Sequence, residues 1–184
     1  MQIRLLSDDV HIDVARVTLL SRDNPSAAPA LIGTGTVRDN VISDGPSLQA
    51  GRVILQLEDC VVTRKHTGVR HHILGFAVSA LVEAGHLAEG VGEIHLGPLV
   101  LVQIKALNAD GTPARDRPSV GIALLPATIQ APANEDGFLE TLVPPGQYSV
   151  FVAEQPPIRE RIDVKQAVEE MQVELCRRKN AGES

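Results

Sequence analysis

Leu142-Val143-Pro144-Pro145-Gly146-Gln147-Tyr148-Ser149-Val150 is the stretch that decides how this chain folds. Two prolines fix the backbone and remove two donors, so they cannot lie inside a central strand. Gly146 follows where a tight turn needs conformational freedom. Beyond it, Tyr148, Val150 and Val152 alternate with Ser149 and Phe151, the period of a strand. Tyr148, Val150 and Val152 are expected on one face, with Phe151 on the other, at an edge or against a neighbouring domain.

Working outward, the same punctuation recurs. Asn134-Glu135-Asp136-Gly137-Phe138 precedes the stretch, and Asn108-Ala109-Asp110-Gly111-Thr112-Pro113 follows the apolar run Leu99-Val100-Leu101-Val102-Gln103-Ile104. The regular spacing predicts strands at about 99–107, 119–125, 138–143, 147–153, 159–164 and 171–176. Val164, Val168, Met171 and Leu175 also match helical spacing, but Met171, Val173 and Leu175 fit the last strand a sandwich needs.

The first half is less sharply punctuated. Val10, Ile12 and Val14 alternate with polar residues, in a strand that extends toward Leu20. Asp23-Asn24-Pro25-Ser26 reads as a loop, Leu31 to Val37 as a Gly/Thr-rich strand, and Asp44-Gly45-Pro46 as a turn. Val53, Leu55 and Leu57 oppose Ile54, Gln56 and Glu58 across one strand, and Ile73 to Val82 forms another. Thr63 to Gly68 joins these two as a hairpin. Val78 to Ala88 has a partial helical pattern that Gly85 weakens. A boundary falls near Gly97-Pro98.

The 184 residues hold 43% apolar residues but only three Phe, one Tyr and no Trp. The core is therefore aliphatic, and platforms for stacking sugars or unpaired bases are scarce. A net charge of −6 argues against a nucleic-acid partner, which demands a basic face. Arg177-Arg178-Lys179 reads as a solvated basic tail. The first residues lack the basic and apolar segments of a signal peptide, and no apolar stretch reaches transmembrane length. Cys60 and Cys176 are too few for a disulfide framework, and each reads as a buried free thiol in an alternating stretch, with a bridge between the two halves in an oxidising compartment as the alternative.

The segment 99–176 resembles the carboxypeptidase regulatory-like domain, a prealbumin-like β-sandwich. The resemblance rests on Asn108-Ala109-Asp110-Gly111-Thr112-Pro113-Ala114, Glu135-Asp136-Gly137-Phe138 and Val143-Pro144-Pro145-Gly146-Gln147-Tyr148-Ser149-Val150, which match the family's three turns in order. It implies a non-catalytic module of the kind found in bacterial surface or multidomain proteins, and it names no ligand. Residues 1–96 are then read as a second β-sandwich, with a divergent preceding copy of the same module as one reading. The expected architecture is all-β, two tandem antiparallel Ig-like/prealbumin-like β-sandwich modules over 1–96 and 97–178, with a disordered tail over 179–184.

Candidate chemistry is sparse. His11, His66, His71, His72, His86 and His95 show no metal-ligand spacing, and adjacent strand residues His71 and His72 face opposite sides. They are read as exposed loop histidines, with His66 and His72 meeting near a hairpin end. Asn108, Asp110 and Asp116 carry calcium-type oxygens, but Asx turns account for them. Lys105 and Glu154 resemble the lysine and the assisting acid of pilin-type sandwiches that form a Lys–Asn isopeptide bond, with the acid displaced and no Asn in the last strand, Asn180 lying beyond it. Gly33-Thr34-Gly35-Thr36 lacks the ending of a phosphate loop and marks a bent or edge strand. No catalytic residue, metal ligand or cofactor is expected. The expected role is a scaffold, adhesion or accessory module that contacts protein through sheet edges or module faces, as monomer or homo-oligomer. The alternative is a small-ligand or carbohydrate binder using loops at one end of the sandwich.

Overall fold

The computed structural model describes residues 2–21, 28–43, 45–82, 91–124, 127–154, 157–166 and 170–177. The loop read at Asp23–Ser26, Asp44, His86 and the tail over 179–184 lie outside them. The described residues form strands and connections, and no helix is long and apolar enough to cross a membrane. The chain divides into two compact units, Met1–Leu99 and Val100–Ser184.

Unit 1 holds β1 (Gln2–Leu6), β2 (Val10–Ser21), β3 (Ala30–Arg38), β4 (Val41–Ile42), β5 (Gly51–Arg64), β6 (Arg70–Val82) and β7 (Val91–His95). They hydrogen-bond as one sheet in the order β6-β5-β2-β3-β4-β1-β7. The end strands β6 and β7 also touch, so the sheet curls into two facing layers. All neighbours are antiparallel except β1 and β7, which run parallel. The enclosed core includes Ile3, Val17, Leu19, Leu55, Val62 and Ile94, none more than 2% exposed.

Two bulges set which side chains reach that core. The β2–β5 register shifts between Ile12 and Val14 and again between Val14 and Arg16. Asp59, on β5, has φ 49°, a left-handed residue inserted between Leu57 and Cys60 on the buried face. One added residue reverses the phase of everything after it. Val14, expected to share a buried face with Val10 and Ile12, is therefore 40% exposed, and Ala15 takes the inward position. Opposite the β5 bulge, a Cβ on Gly75 would lie 2.1 Å from the Leu57 carbonyl oxygen, so the strands meet there only through glycine.

Unit 2 holds β8 (Val100–Leu107), β9 (Ser119–Leu124), β10 (Ala127–Pro132), β11 (Phe138–Val143), β12 (Gly146–Val152), β13 (Ile158–Val164) and β14 (Glu170–Cys176). One sheet runs β10-β9-β12-β13 and the other β11-β8-β14, with β14 parallel to β8. Val100, Val102, Ile104 and Ala106 face Val120, Ile122, Val150 and Val152 in an aliphatic core with no side chain more than 2% exposed. The two expected helical patterns resolve as strands where described: β6 runs through Val82, and β14 covers 170–176. The break between residues 119 and 132 was not anticipated; β9 and β10 form a hairpin there.

The turns behave as their residues dictate. Asn108 accepts from the Gly111 amide through its carbonyl, and Asp110 Oδ1 accepts from both the amide and the hydroxyl of Thr112, at 3.0 and 2.6 Å. Asn134 Oδ1 accepts from the amides of Asp136 and Phe138. Gly111 and Gly137 adopt φ 83° and 81°, as expected of these corners. Gly146 differs: its φ of 159° is nearly extended. The corner is held instead by Tyr148, whose hydroxyl donates to the Pro144 carbonyl at 2.6 Å.

Candidate functional site

On the outer face of unit 1, pairing of β2 with β3 and β5 gathers a polar cluster. Asp39 and Asn40 form a two-residue hairpin between β3 and β4, both at positive φ, the backbone of a type I′ turn. The Asp39 and Asn40 amides donate to the carbonyls of Asp13 and Ile12, which pins the hairpin to β2. His11 Nε2 then lies 3.6 Å from both Asp13 Oδ1 and Asp39 Oδ1. Asp13 Oδ2 accepts from Thr63 Oγ1 at 3.0 Å and lies 3.3 Å from Arg70 Nε.

The three groups His11, Asp13 and Asp39 are close enough to share a cation, so their fit to one depends on the imidazole. Asn40 Oδ1 accepts from the Ile12 amide at 2.7 Å, which fixes the orientation of its side-chain amide. Its Nδ2 therefore donates to His11 Nδ1, 2.8 Å away. A metal-bound histidine donates through its second ring nitrogen; here that nitrogen accepts. With Nδ1 accepting, the ring N–H lies on Nε2, on the side of the two carboxylates. The arrangement suits a hydrogen-bonded clasp between β2 and the hairpin and does not suit a metal.

The histidines correct the loop reading. His11, His71, His72 and His95 lie in strands, because the paired strands take in the polar positions that alternate with or flank the apolar runs. His71 and His72 oppose Val62 and Val61 and take opposite faces as expected. His66 sits in the β5–β6 turn, but its ring faces Asp9 at 3.7 Å, and no contact joins it to His72. Asp9 also accepts from the Leu99 amide at 2.7 Å.

Arg64 is 2% exposed at the end of β5. Its Nε and Nη1 have no hydrogen-bond partner among the described residues. Cys60, on the same inward face, is buried, and burial, with Asp59 and Glu58 beside it, pushes its thiol up to about 12. Cys176 is a correction: it is exposed, because Val173 and Leu175 take the inward phase of β14. Both cysteines are free.

In unit 2 the residues singled out beforehand separate. Lys105 points out of the β11-β8-β14 sheet, because the inward positions of β8 are the even-numbered ones. Glu154, following β12 of the other sheet, pairs with Arg177 Nε at 2.5 Å. The two are not brought together, and no isopeptide arrangement is present among the described residues. Asp116 is taken by Arg177, whose Nη1 lies 2.8 Å from both of its carboxylate oxygens, and Asn108 Oδ1 receives the same Nη1 at 3.3 Å.

Sequence reading missed a groove on that outer sheet face. Lys105 and Gln103 on β8 lie opposite Phe138 and Glu140 on β11, with Gln172 and Glu174 alongside on β14. The turns contribute Pro113, Arg115 and Asp136, and the open cleft between them has a volume of about 300 Å³. Gln103 Nε2 donates to Glu140 Oε1 at 2.6 Å, and Gln172 Nε2 to Glu174 Oε1 at 3.1 Å. A second groove of about 550 Å³ shares Pro113 and Arg115 and contains the Asp116–Arg177 pair. A sequence signal existed: outward-phase Gln103 and Lys105 interrupt an otherwise apolar strand.

No family model and no curated protein matches the chain. Among solved structures, the Bacillus anthracis TIE protein aligns at 14% identity and TM-score 0.36, over 95% of this chain and 38% of that one. The C-terminal fragment of pilus adhesin SpaC from Lactobacillus rhamnosus GG aligns at 7% identity and TM-score 0.35, over 99% of both chains. Shaft pilin SpaA from the same organism aligns at 6% identity and TM-score 0.34, over 97% of both.

Proposed function

We infer that this chain is a non-catalytic interaction module that takes an extended protein segment along the open edge of β3, adding a strand to the unit 1 sheet. The carrying observation is the chemistry of that edge. On β3, β4 pairs only with Val37 and Arg38, so among the described residues Ala30–Thr36 has its ladder partner on the β2 side alone. The segment Ala30-Leu31-Ile32-Gly33-Thr34-Gly35-Thr36 has no charge and no proline, and Leu31 is 65% exposed.

Proteins guard exposed edges with charge, proline or short length, because unpaired backbone groups capture other strands. Unit 2 follows that rule. β13 displays Arg159, Glu160, Arg161 and Asp163, β10 ends in Pro132, and β14 carries Glu170 and Glu174. An unguarded edge beside guarded ones fits strand addition, in which backbone bonds give affinity and alternate side chains give selectivity. In the same reading unit 2 is a carboxypeptidase regulatory-like module. Its support is the Asn108–Pro113, Asn134–Phe138 and Pro144–Tyr148 corners, and its role is that of a scaffold or accessory unit.

The test is selection of extended peptides from a displayed random library on the immobilised protein. The expected result is a set of peptides whose binding is lost in the double variant Leu31→Lys/Thr34→Lys, both changes lying on the outward phase of β3. Selection of no peptides, or of peptides that bind the variant equally, contradicts the reading.

A further inference from the structure

We propose that the groove on the outer face of the β11-β8-β14 sheet is a binding site for a carboxylate that carries an adjacent apolar group, seated against Lys105 and Arg115. This goes beyond the β3 edge, lies in the other unit and does not depend on it.

The argument starts from charge. Most of the cations that face acidic groups in the chain are already engaged: Arg16 by Asp59, Arg70 by Asp13, and Arg177 by Asp116 and Glu154. Lys105 and Arg115 line one cavity, and neither has an ion-pair partner or side-chain hydrogen bond among the described residues. Across the ladders Lys105 faces Phe138 on β11 and Glu174 on β14; Glu174 receives the amide of Gln172, and Glu140, one pair along, receives that of Gln103. Two unpaired cations sharing a concave site in a chain of net charge −6 favour an anion there.

The walls supply the second half of the specificity. Phe138 stands directly across the ladder from Lys105, half-buried, and Pro113 closes the turn side. An aromatic ring and a proline beside two cations match a ligand with an apolar body and an anionic end. Guanidinium and ammonium groups both bind carboxylates, Arg with the planar fork that fits one bidentately. Asp136 lines the same space and repels an anion. It therefore sets the affinity below what the cations alone would give, and its neutralisation has a predictable sign. A chain terminus and a free small acid offer the same chemistry.

The experiment is an amide-resolved NMR titration of the full chain with three probes: acetyl-Gly-Leu with a free carboxylate, its C-terminal amide, and 4-methylpentanoate. The free-carboxylate peptide is expected to shift amides of Lys105, Phe138 and Arg115 saturably, and the amide is expected not to. Equal binding of 4-methylpentanoate assigns the site to free acids; weaker binding assigns it to chain termini. Lys105→Ala and Arg115→Ala should each weaken binding about tenfold, and raised salt should weaken it further. Asp136→Asn should tighten it several-fold, a gain that loss of folding cannot produce. The proposal is overturned if the amide binds as well as the acid, if no probe saturates, or if Asp136→Asn weakens binding while the amide spectrum stays folded.

Discussion

The ring of Phe151 on β12 covers the bare backbone of Gly121 on β9. A Cβ placed on Gly121 would lie 2.5 Å from Phe151 Cζ and 2.8 Å from the Ile129 carbonyl oxygen. The two residues are cross-strand partners on the outer face, and Arg159, next in the ladder, lies 6.0 Å from the ring centroid. The ring, expected at an edge or against a neighbouring domain, packs on its own sheet between β9 and β13. Gly121→Ala should destabilise unit 2 by about 1–3 kcal/mol through overpacking. Adding Phe151→Leu should recover only part of that loss, because the Ile129 carbonyl is backbone and cannot yield. Chemical denaturation measures both, and full recovery in the double variant would refute the backbone contact.

Two glycines with similar φ should respond differently to alanine. Gly111 has open space where a Cβ would go, whereas Gly137 would place one 3.1–3.3 Å from Ala114 and the Ala106 carbonyl. Gly111→Ala should cost about 1–2 kcal/mol, the left-handed backbone penalty alone. Gly137→Ala should cost more, because crowding adds to it. Equal melting temperatures for the two variants would remove the distinction.

The thiols should separate by reactivity. Cys176 is exposed, and Cys60 is buried with its thiol held protonated. Iodoacetamide at pH 8 should label one cysteine in the native protein and both after unfolding. The folded value for Cys60, about 12, exceeds the ordinary 9.0. The unfolded chain therefore releases this proton first, and stability is constant below pH 9 and falls between pH 9 and 12. Tyr148, also raised by burial, adds to the decline from pH 10. Cys60→Ala should flatten the part of the fall that begins near pH 9.

Arg64 offers a test of what a buried cation does for the fold. With Nε and Nη1 unpartnered, its burial opposes folding while its stem fills space. Arg64→Met, which keeps the stem and removes the charge, should leave the melting temperature unchanged or raise it. Arg64→Ala should lower it through lost packing. A loss of about 3 kcal/mol or more in Arg64→Met would signify a broken charge pair.

What the sequence revealed follows from how local each signal is. The Asn108, Asn134 and Pro144 corners are written in adjacent residues, so the strands of unit 2 were readable, as was the all-β class. The exposed position of Val14 depends on Asp59, 45 residues later in the chain, adopting a left-handed bulge. The β1–β7 and β8–β14 parallel pairings are likewise set by distant partners. β10 escaped notice because Ala127-Thr128-Ile129-Gln130-Ala131-Pro132 has only two strand formers, Thr128 and Ile129, and ends in proline. The His11 clasp and the Lys105–Arg115 groove each assemble from three or more separate segments. Only the Asp39-Asn40 pair, a two-residue hairpin signal between Arg38 and Val41, could have pointed to the first of them.

Amide hydrogen exchange along β3, with and without a peptide selected on the immobilised protein, tests strand addition most directly. Outward-directed amides within Ala30–Thr36 should exchange fast in the free protein and become protected at saturation, while those bonded to β2 change little. Protection that appears elsewhere and leaves Ala30–Thr36 unaltered would contradict the edge as the contact surface.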